Sequence, residues 1–123
     1  MNANAFKKAY GESRNGANQF FRHGLARGFV FSDGVNDCAN AGCHWLVDIA
    51  ATELPAVLRR EDENMGTLTA TVKKGKAVLT MTGSGDVHLW SRKIDYTDMP
   101  DGKWLFLITV DGPNSVMILL SEY

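Results

Sequence analysis

The sequence predicts an α+β fold of two layers, an antiparallel β-meander of four to five strands covered by one main helix, with an N-terminal helical arm. Two observations carry this. From Cys43 onward, Leu46, Val47, Ile49, Ala50, Leu54, Val57 and Leu58 keep a helical period. From residue 65 the pattern switches to alternation, with Leu68, Ala70 and Val72 facing one way and Thr67, Thr69 and Thr71 the other. The apolar face of such a sheet needs cover. The helix from Cys43 is the only amphipathic stretch long enough to supply it.

In chain order, residues 1–17 read as a loose arm broken by Gly11 and Gly16, with Phe6 and Tyr10 docking a short helical turn. Residues 18–58 form the helical half. Residues 18–23 read as one turn of helix closed by Gly24, and Phe29-Val30-Phe31 as a short strand. Ser32-Asp33-Gly34 reads as a turn, Asp33 bonding its own backbone and Gly34 taking positive φ. Residues 35–41 read as helix, interrupted by Gly42, and Pro55 is expected to break or kink the main helix near Glu53. Residues 59–64 are a charged connector to the sheet of residues 65–123. There, strands are expected over 65–72, 77–82, 87–94, 104–110 and 116–120, the last a continuous apolar run suited to cover on both faces. The 123 residues read as one domain.

A composition of 45% hydrophobic and 22% charged residues is ordinary for a globular chain, and a net charge of -1 gives no global pull toward nucleic acid or an anionic membrane. The charge is unevenly spread. Residues 1–31 hold Lys7, Lys8, Arg14, Arg22 and Arg27 against Glu12 alone, whereas residues 32–72 hold Arg59 and Arg60 against seven carboxylates. No apolar run reaches the length of a membrane span, and no signal-peptide core is seen. Cys38 and Cys43 lie five positions apart, which on a regular helix points them about 140° from each other, so they read as reduced thiols. A cytoplasmic protein is expected.

Four constellations compete for chemistry. Cys38 and Cys43 with His44, His23 or His88 would be nucleophile and base, but adjacent helical residues diverge, and the ordinary reading is buried thiols. The same residues lack metal-ligand spacing, so neither metal nor cofactor is expected. Arg22, His23, Asp33 and Asp48 stand among apolar neighbours. Buried charge demands pairing, so they read either as a network holding the helical half together or as a pocket with His23, Asp33 and Asp48 as acid–base candidates. Lys73, Lys74, Lys76, Arg92, Lys93 and Lys103, interleaved with Trp90 and Trp104, suit single-stranded nucleic acid, but equal numbers of carboxylates oppose direct binding. Gly83-Ser84-Gly85 has no helix behind it to make a phosphate loop.

The segments Phe21-Arg22-His23, Ser32-Asp33-Gly34-Val35, Trp45-Leu46-Val47-Asp48 and Leu119-Leu120-Ser121-Glu122-Tyr123 together resemble an uncharacterised domain family met mainly in bacterial plasmids, prophages and integrative elements, over about residues 18–123. The family carries no established activity. The resemblance implies a mobile-element setting and marks Arg22, His23, Asp33, Trp45 and Asp48 as network or site positions. The position of Cys43 departs from the small residue found there in the family. The function expected is a non-enzymatic accessory protein that binds a host protein, an anti-CRISPR-like inhibitor of a defence complex being the most concrete form. Glu53, Glu61, Asp62 and Glu63, with the loop bearing Asp95, Asp98 and Asp101, would then face a basic groove on the partner. A small-ligand binder or enzyme using His23, Asp33 and Asp48, and a nucleic-acid-binding module, are the alternatives.

Overall fold

The computed structural model describes residues 3–11 and 19–123. The chain runs α1 (Ala3–Gly11), β1 (Phe20–Arg22), β2 (Phe29–Ser32), α2 (Asp33–Cys38), a π-helical turn (Ala39–Cys43) and α3 (His44–Arg60). It continues through β3 (Met65–Lys73), β4 (Lys76–Thr82), β5 (His88–Ile94), β6 (Gly102–Asp111) and β7 (Asn114–Leu119), with 3₁₀ turns at Ser84–Asp86 and Leu120–Glu122.

All seven strands join one mixed sheet in the order β1-β2-β7-β6-β3-β4-β5. This overturns the expectation of a four- to five-stranded antiparallel meander under one main helix. Two strands join the sheet from residues 18–58: β2, where Phe29-Val30-Phe31 was read as a short strand, and β1, which was not read as one. Residues 20–22 are strand, not a helical turn, because Phe21 pairs with Phe31 and stacks on its ring at 6.0 Å. Strand β2 then runs parallel to β7, Phe29 opposite Ser115 and Phe31 opposite Met117. Nor is the order a meander, because β6 pairs with β3 from Met65–Thr109 to Val72–Gly102 and leaves β5 at the edge. The connection over residues 95–101 crosses the end of the β3–β4 hairpin, Thr97 N–H donating to Gly75 O at 2.8 Å and Lys74 N–H to Asp101 Oδ1 at 3.0 Å.

The helices share one face of this sheet. Leu46, Leu54 and Leu58 of α3 are fully buried with Leu68, Leu79, Phe106, Ile108, Met117 and Leu119 of the strands. Each such side chain contributes about 1.5–3 kcal/mol through burial. That packing carries α3 unbroken through Pro55, where a break or kink was expected. A buried proline forfeits one backbone bond, about 3 kcal/mol, and its neighbours Leu54 and Leu58 in the core outweigh it.

The described part of the arm is not loose either. Helix α1 buries Phe6 completely, and Phe6 and Tyr10 both meet Trp104 edge to face, with centroids at 5.1 and 5.0 Å. Tyr10 Oη also accepts the Leu105 N–H at 3.0 Å, beyond the last β6–β7 pair, Phe106 with Leu119. The remaining arm residues, 1–2 and 12–17, and residue 18 of the expected second turn, lie outside the described residues.

The opposite face carries no described helix. Strand alternation brings Val30, Val116, Thr109 and Met65 into one row across it, and Ile118, Leu107, Thr67 and Thr82 into the next. The run of residues 116–120, expected to be covered on both faces, is thus buried on one side at Met117 and Leu119 and half-buried on the other at Val116 and Ile118.

Candidate functional site

One side chain organises the β1–β2 loop. His23 Nδ1 accepts the backbone N–H groups of Leu25 at 3.2 Å and Ala26 at 3.1 Å. With two donors aimed at it, Nδ1 bears the lone pair, and the ring proton sits on Nε2. Nε2 donates to Asp48 Oδ1 at 2.8 Å. The ring is 8% exposed and edge-on to Phe29, whereas the Asp48 side chain is 65% exposed. Both ring nitrogens are committed within the fold, so the imidazole presents no spare lone pair to a substrate proton. It fastens the loop to α3. We therefore expect His23→Ala to cost about 2–3 kcal/mol, because two part-buried N–H groups lose their acceptor, while Asp48→Ala costs under about 1 kcal/mol. Equal costs in chemical denaturation would refute this division of labour.

Asp33 does not join the pair. It begins α2 just after Ser32, which pairs with Phe20, so it lies at the far end of the β1–β2 hairpin from His23. Its carboxylate accepts the Gly34 N–H at 3.1 Å, the self-bonding expected of it. Gly34 is helical, however, and not at positive φ, because Ser32 is the N-cap of α2, its Oγ accepting the Val35 N–H at 3.1 Å. Trp45 is half-buried against the core. Arg22 is exposed and donates from Nη1 to the Arg27 carbonyl.

The acidic positions are partly engaged within the fold. Glu53 pairs with Arg92 at 2.6 Å, clipping α3 to the edge strand β5. Glu63 Oε2 accepts the Ser84 hydroxyl at 2.9 Å, Glu61 meets Arg60 at 3.6 Å, and Asp101 caps the β3–β4 hairpin. Asp62, Asp95 and Asp98 are exposed. The aromatic and basic residues of the β half divide between faces, since Trp104 and Trp90 pack toward the core while alternation puts Lys103 and Lys93 on the open face.

The π-helical turn changes the geometry of the cysteines. Its closure through Gly42, at φ 132°, replaces the regular helical spacing that set Cys38 and Cys43 apart, and Cys43 Sγ donates to the Cys38 carbonyl at 3.2 Å. Neither cysteine is in a disulfide, and both are buried. Burial, reinforced by neighbouring Cys38, pushes the Cys43 thiol well above its ordinary range, which disfavours the nucleophilic thiolate. His44 and His88 are exposed, and no three His, Cys, Asp or Glu side chains converge to hold a metal among the described residues.

Beside the His23 loop the surface is concave. An open hollow of about 540 Å³ is lined by Arg22, His23, Gly24 and Arg27. Arg27 also lines a second hollow of about 130 Å³, which runs past Pro55 to Pro113 and Arg59. Arg59 in turn borders a third, of about 520 Å³, with Asp62, Glu63 and Asp111. The hollows adjoin through these shared residues as a groove whose middle part is lined by Ala51, Pro55 and Arg59 of α3 and by residues of the β1–β2 loop and β6–β7 turn.

A second polar node was missed by sequence reasoning. Glu122 is 5% exposed, and its Oε1 accepts both the Ser32 hydroxyl at 2.6 Å and the Leu119 N–H at 2.8 Å. Its Oε2 is buried with no hydrogen-bond partner among the described residues. The available signal was a single carboxylate in an apolar closing run, matched with a serine placed to cap a helix.

The sequence profile of a family of unknown function, DUF6876, matches residues 8–123, and the chain belongs to that family. No curated protein and no solved structure matches it. No helix of the described residues is long and apolar enough to cross a membrane.

Proposed function

We propose that this member of the family acts by binding a protein partner through the open face of its sheet. The observation that carries this is the apolar centre of that face: half-buried Val30, Leu105, Val116 and Ile118 around buried Leu107, bordered by threonines, with Met65 and Val78 exposed near its margins. Contiguous apolar surface of this kind marks protein interfaces more often than scattered single residues do. Lys73, Lys76, Lys93 and Lys103 lie on the same face at the hairpin end, so the fitting partner is apolar with an acidic rim. The acidic positions favoured on sequence are a weaker basis, since Glu53, Glu63 and Asp101 serve internal contacts. In the mobile-element setting that the sequence resemblance implies, the partner is a host protein, and a defence nucleoprotein complex is the most concrete candidate.

The test is a nuclease-treated pull-down from bacterial lysate with three proteins: wild type, Ile118→Lys, and a triple charge reversal at Glu61, Asp62 and Glu63. A partner held by the wild type and the triple variant but lost by Ile118→Lys, with melting temperatures unchanged, supports the sheet face. Loss in the triple variant alone would return the interface to the acidic end of α3.

A further inference from the structure

We propose that the groove beside the His23 loop is a binding site for a compact phosphate-bearing ligand, held by Arg22, Arg27 and Arg59. This site lies along the flank of α3 and is independent of the sheet-face reading.

Three observations converge. First, the two hollows that meet at Arg27 have three arginines in their lining and no carboxylate. Second, none of these arginines makes an ion pair among the described residues, although Arg60 and Arg92 elsewhere do. Arg59 instead donates from Nε and Nη2 to the Gly112 carbonyl at 3.3 and 3.1 Å, and Arg22 donates to the Arg27 carbonyl. Carbonyl tethers hold a guanidinium in place without neutralising it, and each leaves further N–H donors free. A planar fork so placed suits the paired oxygens of a phosphate.

Third, the groove is bounded by acids. Asp48 accepts the hydrogen bond from His23 Nε2 at one end, and Asp62, Glu63 and Asp111 line the hollow beyond Arg59. From Asp48 to Arg59 the helix rises about 16 Å. A long phosphodiester strand following the groove would run into carboxylates at each end. A short oligophosphate, as in a nucleoside polyphosphate, would not.

The experiment is an amide NMR titration of the whole chain with inorganic tripolyphosphate, and in parallel with a twelve-residue oligothymidylate. Saturable shifts from tripolyphosphate at Gly24, Gly28 and Gly112, weakened roughly tenfold by Arg27→Gln and untouched by Lys93→Gln, are expected. Arg27 is the variant of choice because, among the described residues, its guanidinium makes no hydrogen bond or ion pair within the fold. Shifts that persist unchanged in Arg27→Gln, or no shifts at millimolar tripolyphosphate, overturn the site. Binding of the oligothymidylate without tripolyphosphate binding overturns the compact ligand and assigns the groove to a nucleic-acid strand.

Discussion

Replacing Glu122 with alanine is expected to destabilise the protein by about 3–4 kcal/mol, because two buried donors lose their shared acceptor. The Ser32 hydroxyl and the Leu119 N–H both lie in buried surroundings, and among the described residues neither has another acceptor. The same carboxylate explains why position 34 is glycine. A Cβ there would stand 2.7 Å from Glu122 Oε2, so Gly34→Ala alone is expected to cost about 1–3 kcal/mol by overpacking. With Glu122 already replaced by alanine, the obstructing atom is gone. The added methyl then stabilises the helix by up to about 1 kcal/mol, as alanine does over glycine. The double-mutant cycle read by urea unfolding should thus change the sign of the Gly34→Ala effect. Additive costs would show that the carboxylate does not set the identity of residue 34.

Gly28→Ala carries the second large effect. Its Cβ would overlap the carbonyl oxygen of Pro113, and backbone, unlike the far end of a side chain, cannot swing aside. The Gly28 carbonyl also accepts the Ser115 N–H at 2.7 Å, at the first rung of the parallel β2–β7 pairing. A shift large enough to admit the methyl lengthens that bond, and a loss of about 3 kcal/mol is expected. Gly24, four residues earlier in the same loop, has nothing within 4 Å of such a methyl. Gly24→Ala is therefore the control, with an effect under about 0.5 kcal/mol. Melting curves of the two variants decide the matter, and equal midpoints would refute the close-approach account.

What the sequence revealed and what it hid divide along the range of the interactions. Strands β3 to β7 were legible because alternation and turn residues are local signals, and the period of α3 was equally plain. Strand β1 was not, because Phe20-Phe21 is apolar in any conformation, and although Phe29-Val30-Phe31 was legible as a strand, its parallel pairing with Ser115 to Met117 was not. The position of β6 against β3 was hidden for the same reason, since a loop sequence does not say which strand it returns to. Pro55 misled through local propensity that tertiary packing overrode. At the site, charge in an apolar setting drew attention to His23 and Asp48, which the fold joins by a hydrogen bond. Asp33, of the same residue type in similar surroundings, instead accepts the Gly34 N–H at the start of α2. Glu122 went unassigned because its partner Ser32 is 90 positions away.

The route of the chain through the sheet bears on how it assembles. The seam joining β2 to β7 ties residues 87 and 90 positions apart, at Gly28–Ser115 and Ser32–Glu122. Closing a loop of that length costs on the order of 4 kcal/mol in chain entropy before any contact rewards it. The block from α3 to β6 needs only nearer pairings and can organise first. The seam is then a late zip that locks a sheet already in place. Interactions formed after the rate-limiting step govern how fast a protein opens and leave its rate of folding nearly unchanged. Glu122 and Gly28 sit on that zip, so they act mainly as brakes on unfolding.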